Sequence, residues 1–188
     1  MSGERPVILA VSGISGAGKT ATVRFLHKLL QNSAIVLYDD YQNNYDNFLL
    51  EIKSLSEKNQ VQYIIIEDPV GMTDSDKKIQ PNYNIYIDTP LEVGLARVLL
   101  RAITNSSDKG IEDFYDSIGP QFESSYKESP TKLMHVLVWL LESYLNEYRE
   151  KYMEDRERMK KNTNLIVDGT KPVEKIARSI IEWLKSAR

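Results

Sequence analysis

A short apolar run that stops at glycine constrains this chain more than any other feature. Val7–Val11 is β-prone, and the residues just after it read Gly13-Ile14-Ser15-Gly16-Ala17-Gly18-Lys19-Thr20. They match the pattern G-x-x-x-x-G-K-[ST] at every position. From Lys19 to Leu30 the apolar spacing turns helical, with Val23, Leu26, Leu29 and Leu30 on one side. Strand, glycine loop and helix in that order aim several backbone N–H groups, and the positive end of a helix, at one point. Such a loop suits a polyphosphate. Gly13, Ser15, Gly16, Ala17, Gly18, Lys19 and Thr20 are the candidate nucleotide contacts. Lys19 is expected to reach the β- and γ-phosphates, and the Thr20 hydroxyl to meet Mg²⁺.

The rest of the chain alternates in the same way. Ala34–Tyr38, Val61–Ile66, Tyr83–Ile87 and Leu165–Val167 read as further strands. Helices are expected over Asp46–Lys58, Leu91–Ile103, Lys132–Lys161 and from Pro172 to Ser186, with a short one near Ile111–Ser117. Buried strands separated by helices predict an α/β fold, a three-layer α/β/α arrangement around a five-stranded parallel sheet. The expected organisation is one domain over 1–188, with a helical lid inserted at about 97–161.

Composition narrows the function classes. There are no cysteines and only two histidines, His27 and His135, so thiolate metal sites and cysteine nucleophiles are excluded. Lys plus Arg total 24 against 27 Asp plus Glu, a formal net charge of −3, which disfavours a nucleic-acid-coating role. No apolar run approaches the roughly 20 residues of a membrane span. The N-terminus lacks signal-peptide and myristoylation patterns. A cytoplasmic protein with no membrane and no nucleic-acid partner is expected. Oligomeric state is not readable.

Two acids follow strands. Asp39-Asp40 comes directly after the second, at the carboxyl end where α/β folds place ligands. A carboxylate there could orient an acceptor hydroxyl and take its proton, or it could be a solvated turn. Glu67 ends the buried run Ile64-Ile65-Ile66 and is the candidate support for the metal, with Asp68 expected in the turn before Pro69. Arg97 and Arg101, at i and i+4, could clamp a transferring phosphoryl group or pair with acids such as Glu92. Gly169, in Asp168-Gly169-Thr170-Lys171-Pro172, marks either a turn or a backbone contact to the base. The mixed charges after Arg149 read chiefly as a solvated helix face. Tyr38, Tyr41 and Tyr45 could stack on a ring or pack beneath a loop.

Taken together, these residues resemble the uridine kinase-like group of P-loop kinases. The likeness rests on Ser12 to Thr20, on Val36-Leu37-Tyr38-Asp39-Asp40-Tyr41, on Ile66-Glu67, on Ile85 to Pro90 and on Leu95 to Arg101. It implies Asp39 as catalytic base, Glu67 as metal support, and Arg97 and Arg101 as lid arginines beside catalytic Lys19. In that group a segment between strands two and three reads the pyrimidine. Here it is missing, and the region Ser106–Glu142 is enlarged instead.

The resulting expectation is a Mg²⁺- and ATP-dependent kinase acting on a hydroxyl of a small molecule, nucleoside-like in character, such as uridine or cytidine. Two alternatives stay open. One is a nucleoside monophosphate kinase, and the other an ATP-binding regulatory protein without metabolite kinase activity. An Asn-Lys-x-Asp guanine signature is absent, which favours ATP over GTP.

Overall fold

In the computed structural model, which describes residues 5–41, 44–69, 79–104 and 132–187, the period-two pattern of the strands decides the layering. β1 (Val7–Ser12) turns Leu9 and Val11 to one side and Ile8 and Ala10 to the other. β3 (Tyr63–Asp68) does the same with Ile65 against Ile64 and Ile66. All of these are buried, as a parallel sheet covered on both faces requires.

With β2 (Ser33–Val36), β4 (Tyr83–Asp88) and β5 (Leu165–Asp168), the sheet has five parallel strands in the order β2-β3-β1-β4-β5. α1 (Lys19–Leu29) and α6 (Val173–Ser186) cover the Leu9 face. α6 buries Ile176, Ala177, Ile180 and Leu184, one stripe of the helix. α2 (Tyr45–Lys58) covers the Ile8 face with Phe48, Leu49 and Ile52. Its start is capped by the Asn44 side chain, which accepts from the Asn47 N–H at 3.1 Å. The fold is the expected α/β sandwich. Its chain passes from one side of β1 (β2, β3) to the other (β4, β5), which opens a crevice at the carboxyl ends of the strands beside β1.

Several boundaries differ from expectation for identifiable reasons. β2 stops at Val36 because Tyr38–Tyr41 closes into a 3₁₀ turn, the Asp40 N–H donating to the Leu37 carbonyl. β3 runs on through Glu67 and Asp68, which pair in register with Val11 and Ser12. Asp68 is therefore a buried strand residue and not a turn. The predicted single helix of Lys132–Lys161 is α4 (Lys132–Ser143), a π-helical segment Tyr144–Tyr148, and α5 (Arg149–Lys161). α3 spans Leu91–Thr104. The short helix expected near 111–117, and much of the region read as a lid, lie outside the described residues. No helix among the described residues is long and apolar enough to cross a membrane.

The charged face of α5 also needs correcting. Arg156 and Lys160, one turn apart, both reach Asp88 at the end of β4. Arg156 donates through Nε and Nη2 to Oδ1, each at 2.8 Å, and Lys160 Nζ sits 2.7 Å from Oδ2. Partial burial opposes ionisation of Asp88, but hydrogen bonds from Lys160 and Arg156 outweigh it and hold the carboxyl below its usual value. These three groups tie α5 to the sheet. A depressed carboxylate stabilises the fold above its unfolded value, and that contribution is lost as pH falls through the lower folded value. Asp88→Asn should therefore lower Tm at pH 7 by about 3–6 °C, from a loss of about 1–2 kcal/mol. The gap between variant and wild type should narrow in thermal melts below about pH 4. A gap independent of pH would contradict this assignment.

Candidate functional site

The loop between β1 and α1 carries glycine where the backbone demands it. Gly16 and Gly18 have φ of 77° and 91°, in the left-handed region that side chains rarely adopt. The loop sits at the mouth of the crevice and lines a cavity of about 380 Å³. Into this cavity come Lys19 and Thr20 from the start of α1, Asp39 from the 3₁₀ turn, Glu67 from the end of β3 and Arg101 from α3. Tyr152, Asp155 and Met159 of α5 form a further wall. Gly13, Ser15, Gly16, Gly18, Lys19, Thr20, Asp39, Glu67 and Arg101, all singled out from sequence, thus share one cavity.

Lys19 folds back over the loop, its Nζ donating to the carbonyls of Gly13 at 3.0 Å and Ile14 at 3.2 Å. Burial pushes its ammonium below the ordinary lysine value, against the pull of Glu67, Asp39 and Asp68. A partly desolvated cation held by carbonyls is primed to exchange them for a stronger anion. One residue on, the Thr20 hydroxyl lies 3.0 and 2.9 Å from the two oxygens of Glu67. Glu67 is only 6% exposed. Burial raises its carboxyl above the usual range, partly offset by the Thr20 hydrogen bond and by Lys19. A hydroxyl and a buried carboxylate in contact are hard oxygen donors. They fit a Mg²⁺ ion that keeps waters and takes its remaining ligands from phosphate oxygens.

Arg97 and Arg101 separate. Arg101 lines the cavity, whereas Arg97 does not. The Arg97 guanidinium donates through Nη1 to the Gly169 carbonyl at 2.9 Å and the Gly16 carbonyl at 3.4 Å. It therefore bridges the phosphate loop to the β5–α6 turn. That turn is itself stitched down, the Gly169 N–H donating to the Asp88 carbonyl at 2.8 Å. A Cβ on Gly169 would run into Thr89 Oγ1 and come 2.9 Å from Ile87 Cγ2, so only glycine fits here. Ala17 is buried in the core under the loop, its N–H donating to the Ile14 carbonyl. Tyr38, Tyr41 and Tyr45 cluster around Phe48, with ring centroids 5.4–6.1 Å from it, and pack against the Ile8-side core.

Sequence reasoning missed the α5 wall. Tyr152, Asp155 and Met159 recur at i, i+3 and i+7, a spacing that the dense surrounding charge obscured. The Tyr152 phenol shares a hydrogen bond with the Ser15 side chain, and burial raises its pKa. Its ring stacks on Tyr148 at 5.9 Å. Gly94 on α3 also went unnoticed, although a glycine inside a helix costs about 1 kcal/mol relative to alanine and so invites an explanation.

No protein-family model matches the sequence, and no curated protein sequence matches it. Solved structures do. The shikimate kinase from Aquifex aeolicus superimposes with a TM-score of 0.54 at 17% identity, over 96% of this chain and 98% of that one. The shikimate kinase from Acinetobacter baumannii in complex with shikimate gives 0.50 at 15% identity, over 97% of this chain and 95% of that one. TT1252 from Thermus thermophilus gives 0.51 at 11% identity, over 98% and 100%. The chain thus shares the α/β fold of these two shikimate kinases and of TT1252, all of similar length.

The raised carboxyl of Glu67 has a measurable consequence. Since the fold favours its neutral form, stability from this position is fullest at low pH and falls as pH rises through the raised folded value. Glu67→Gln, neutral throughout, should melt at or above wild type at pH 7, yet bind Mg-ATP at least about tenfold more weakly in calorimetric titration. A lower Tm with unchanged affinity would mean that Glu67 is structural.

Proposed function

We propose that the protein is an ATP- and Mg²⁺-dependent kinase that phosphorylates a hydroxyl group of an uncharged small molecule, nucleoside-like in character. The observation that carries this reading is one cavity lined by Lys19, Thr20, Glu67, Arg101 and Asp39. The first four are suited to a metal triphosphate, and the fifth to an alcohol. The fold shared with shikimate kinases is consistent with phosphoryl transfer to a hydroxyl.

In this reading the N–H groups of Gly13 to Thr20 cradle the phosphates, and Lys19 leaves the Gly13 and Ile14 carbonyls to bind the β- and γ-phosphate oxygens. Thr20 and Glu67 would hold Mg²⁺, which supplies charge neutralisation to the phosphates when bound. Asp39 accepts a hydrogen bond from the acceptor hydroxyl, aligns its oxygen with the γ-phosphorus and takes the proton as the new P–O bond forms. The bond between the γ-phosphorus and the β,γ-bridging oxygen breaks, and ADP departs. Arg101 faces the transferring group and stabilises its charge. Arg97, on the carbonyls of Gly16 and Gly169, ties the loop to the base-side turn. Residues 97–161 serve as a lid that excludes water, within a single domain.

Charge argues for a neutral acceptor. Among the described residues lining the cavity, Lys19 and Arg101 are the cations, against Asp39, Glu67 and Asp155. In this reading the triphosphate engages both of these cations. A nucleoside monophosphate, whose acceptor is itself an anion, would meet Asp39 and find no further cation among the described residues lining the cavity.

Two measurements test the reading. ADP release from Mg-ATP, followed across nucleosides, nucleoside monophosphates and shikimate with Lys19→Ala as blank, should rise well above background for a neutral hydroxyl compound. Stimulation only by anionic acceptors, monophosphates or shikimate, would overturn the neutral-acceptor assignment. Asp39→Asn should then lower kcat by about 10²–10⁴-fold, with the KM for ATP within about threefold of wild type. An equal loss in ATP affinity would place Asp39 in nucleotide binding instead.

A further inference from the structure

Gly94 lies in the first turns of α3, and its missing side chain is where helix and phosphate loop meet. A Cβ built on Gly94 would come 2.8 Å from the Ser15 carbonyl oxygen and 2.8 Å from Ile14 Cδ1. From the other side, a Cβ on Gly16 would run into the Gly94 carbonyl, with the Gly94 Cα 2.9 Å away. Two glycines, one on the loop and one on the helix, thus touch backbone to backbone. Gly94 is the buried residue of α3, and the N–H groups of Val93 and Gly94 both donate to the Pro90 carbonyl, which fixes the helix start.

Residues 94, 97 and 101 stand at i, i+3 and i+7, hence on one face of the helix. Gly94 rests on Gly16, Arg97 reaches the Gly16 and Gly169 carbonyls, and Arg101 enters the cavity. The reach of an arginine is fixed by how far its helix axis stands from its target. A side chain at position 94 would push α3 off the loop and carry Arg101 away with it.

We propose that Gly94 is a positioning residue: through its backbone contact with Gly16 it sets the separation of α3 from the phosphate loop, and so places Arg101 at the triphosphate. This rests on the assignment of the cavity to ATP. The readout chosen is ATP affinity and not turnover, so the result does not depend on whether any acceptor is phosphorylated.

The test is a double-mutant cycle on Mg-ATP affinity, measured by calorimetric titration of Gly94→Ala, Arg101→Ala and the double variant. Each single change is expected to weaken binding by about tenfold, and the pair by no more than about twofold beyond the weaker single variant, because both remove the same contact. A glycine needed only for packing gives instead losses that multiply to about a hundredfold. That result, or a Gly94→Ala protein that binds within about twofold of wild type, overturns the proposal. Where Gly94→Ala alone does not fold, Gly94→Ala combined with Ile14→Val removes the Cδ1 clash and leaves the Ser15 carbonyl as the close contact of the new methyl. The same cycle is then run from Ile14→Val as reference, with the same two outcomes.

Discussion

The close seating of one glycine loop at the carboxyl end of β1 governs the arrangement around it. A backbone that turns through φ of 77° at Gly16 and 91° at Gly18 disfavours side chains there, and at Gly16 that lets a neighbouring element come to the loop at backbone distance. α3 does so at Gly94, and Arg97 does so through the Gly16 carbonyl. The β5–α6 turn is drawn in by the same guanidinium through Gly169, and β3 by Thr20 on Glu67. Three segments distant in sequence converge because the loop presents carbonyls, N–H groups and little bulk.

Polar burial shows where this arrangement is under tension. Lys19 is desolvated and Glu67 is buried with its carboxyl shifted upward, so each is less stable as an ion here than in water. Such costs are tolerated where a ligand relieves them. In the proposed reading a triphosphate would supply a counter-charge to Lys19, and a divalent cation one to Glu67. Asp88 is the opposite case, a carboxylate fully served by Arg156 and Lys160, and it holds the sheet to α5 as a structural tie. Lys19 and Glu67 are thus shifted against their ionised forms, whereas Asp88 is shifted towards its own.

Much of this was legible in the sequence, for local reasons. Short continuous apolar runs and glycines at fixed spacing are local features, so the strands, the loop and the acids Asp39, just past β2, and Glu67, in β3, could be placed directly. Legibility stopped where partners are distant. Arg156 and Lys160 look like surface charge until Asp88 is brought beneath them. Arg97 and Arg101 look equivalent at i and i+4, yet the helix delivers one to carbonyls and the other to the cavity. Tyr152 announces nothing until α5 lays it against Ser15. Asp68 before Pro69 reads as a turn because nothing local reveals that β3 pairs with Ser12 at that position.

The central claim is that the cavity transfers a phosphoryl group to carbon-bound oxygen, and ³¹P NMR of the protein with Mg-ATP and a neutral nucleoside observes that directly. The account predicts a phosphomonoester resonance that grows in step with the β-phosphate of ADP and is absent with Lys19→Ala. Loss of ATP accompanied only by inorganic phosphate, whatever neutral hydroxyl compound is supplied, would contradict it.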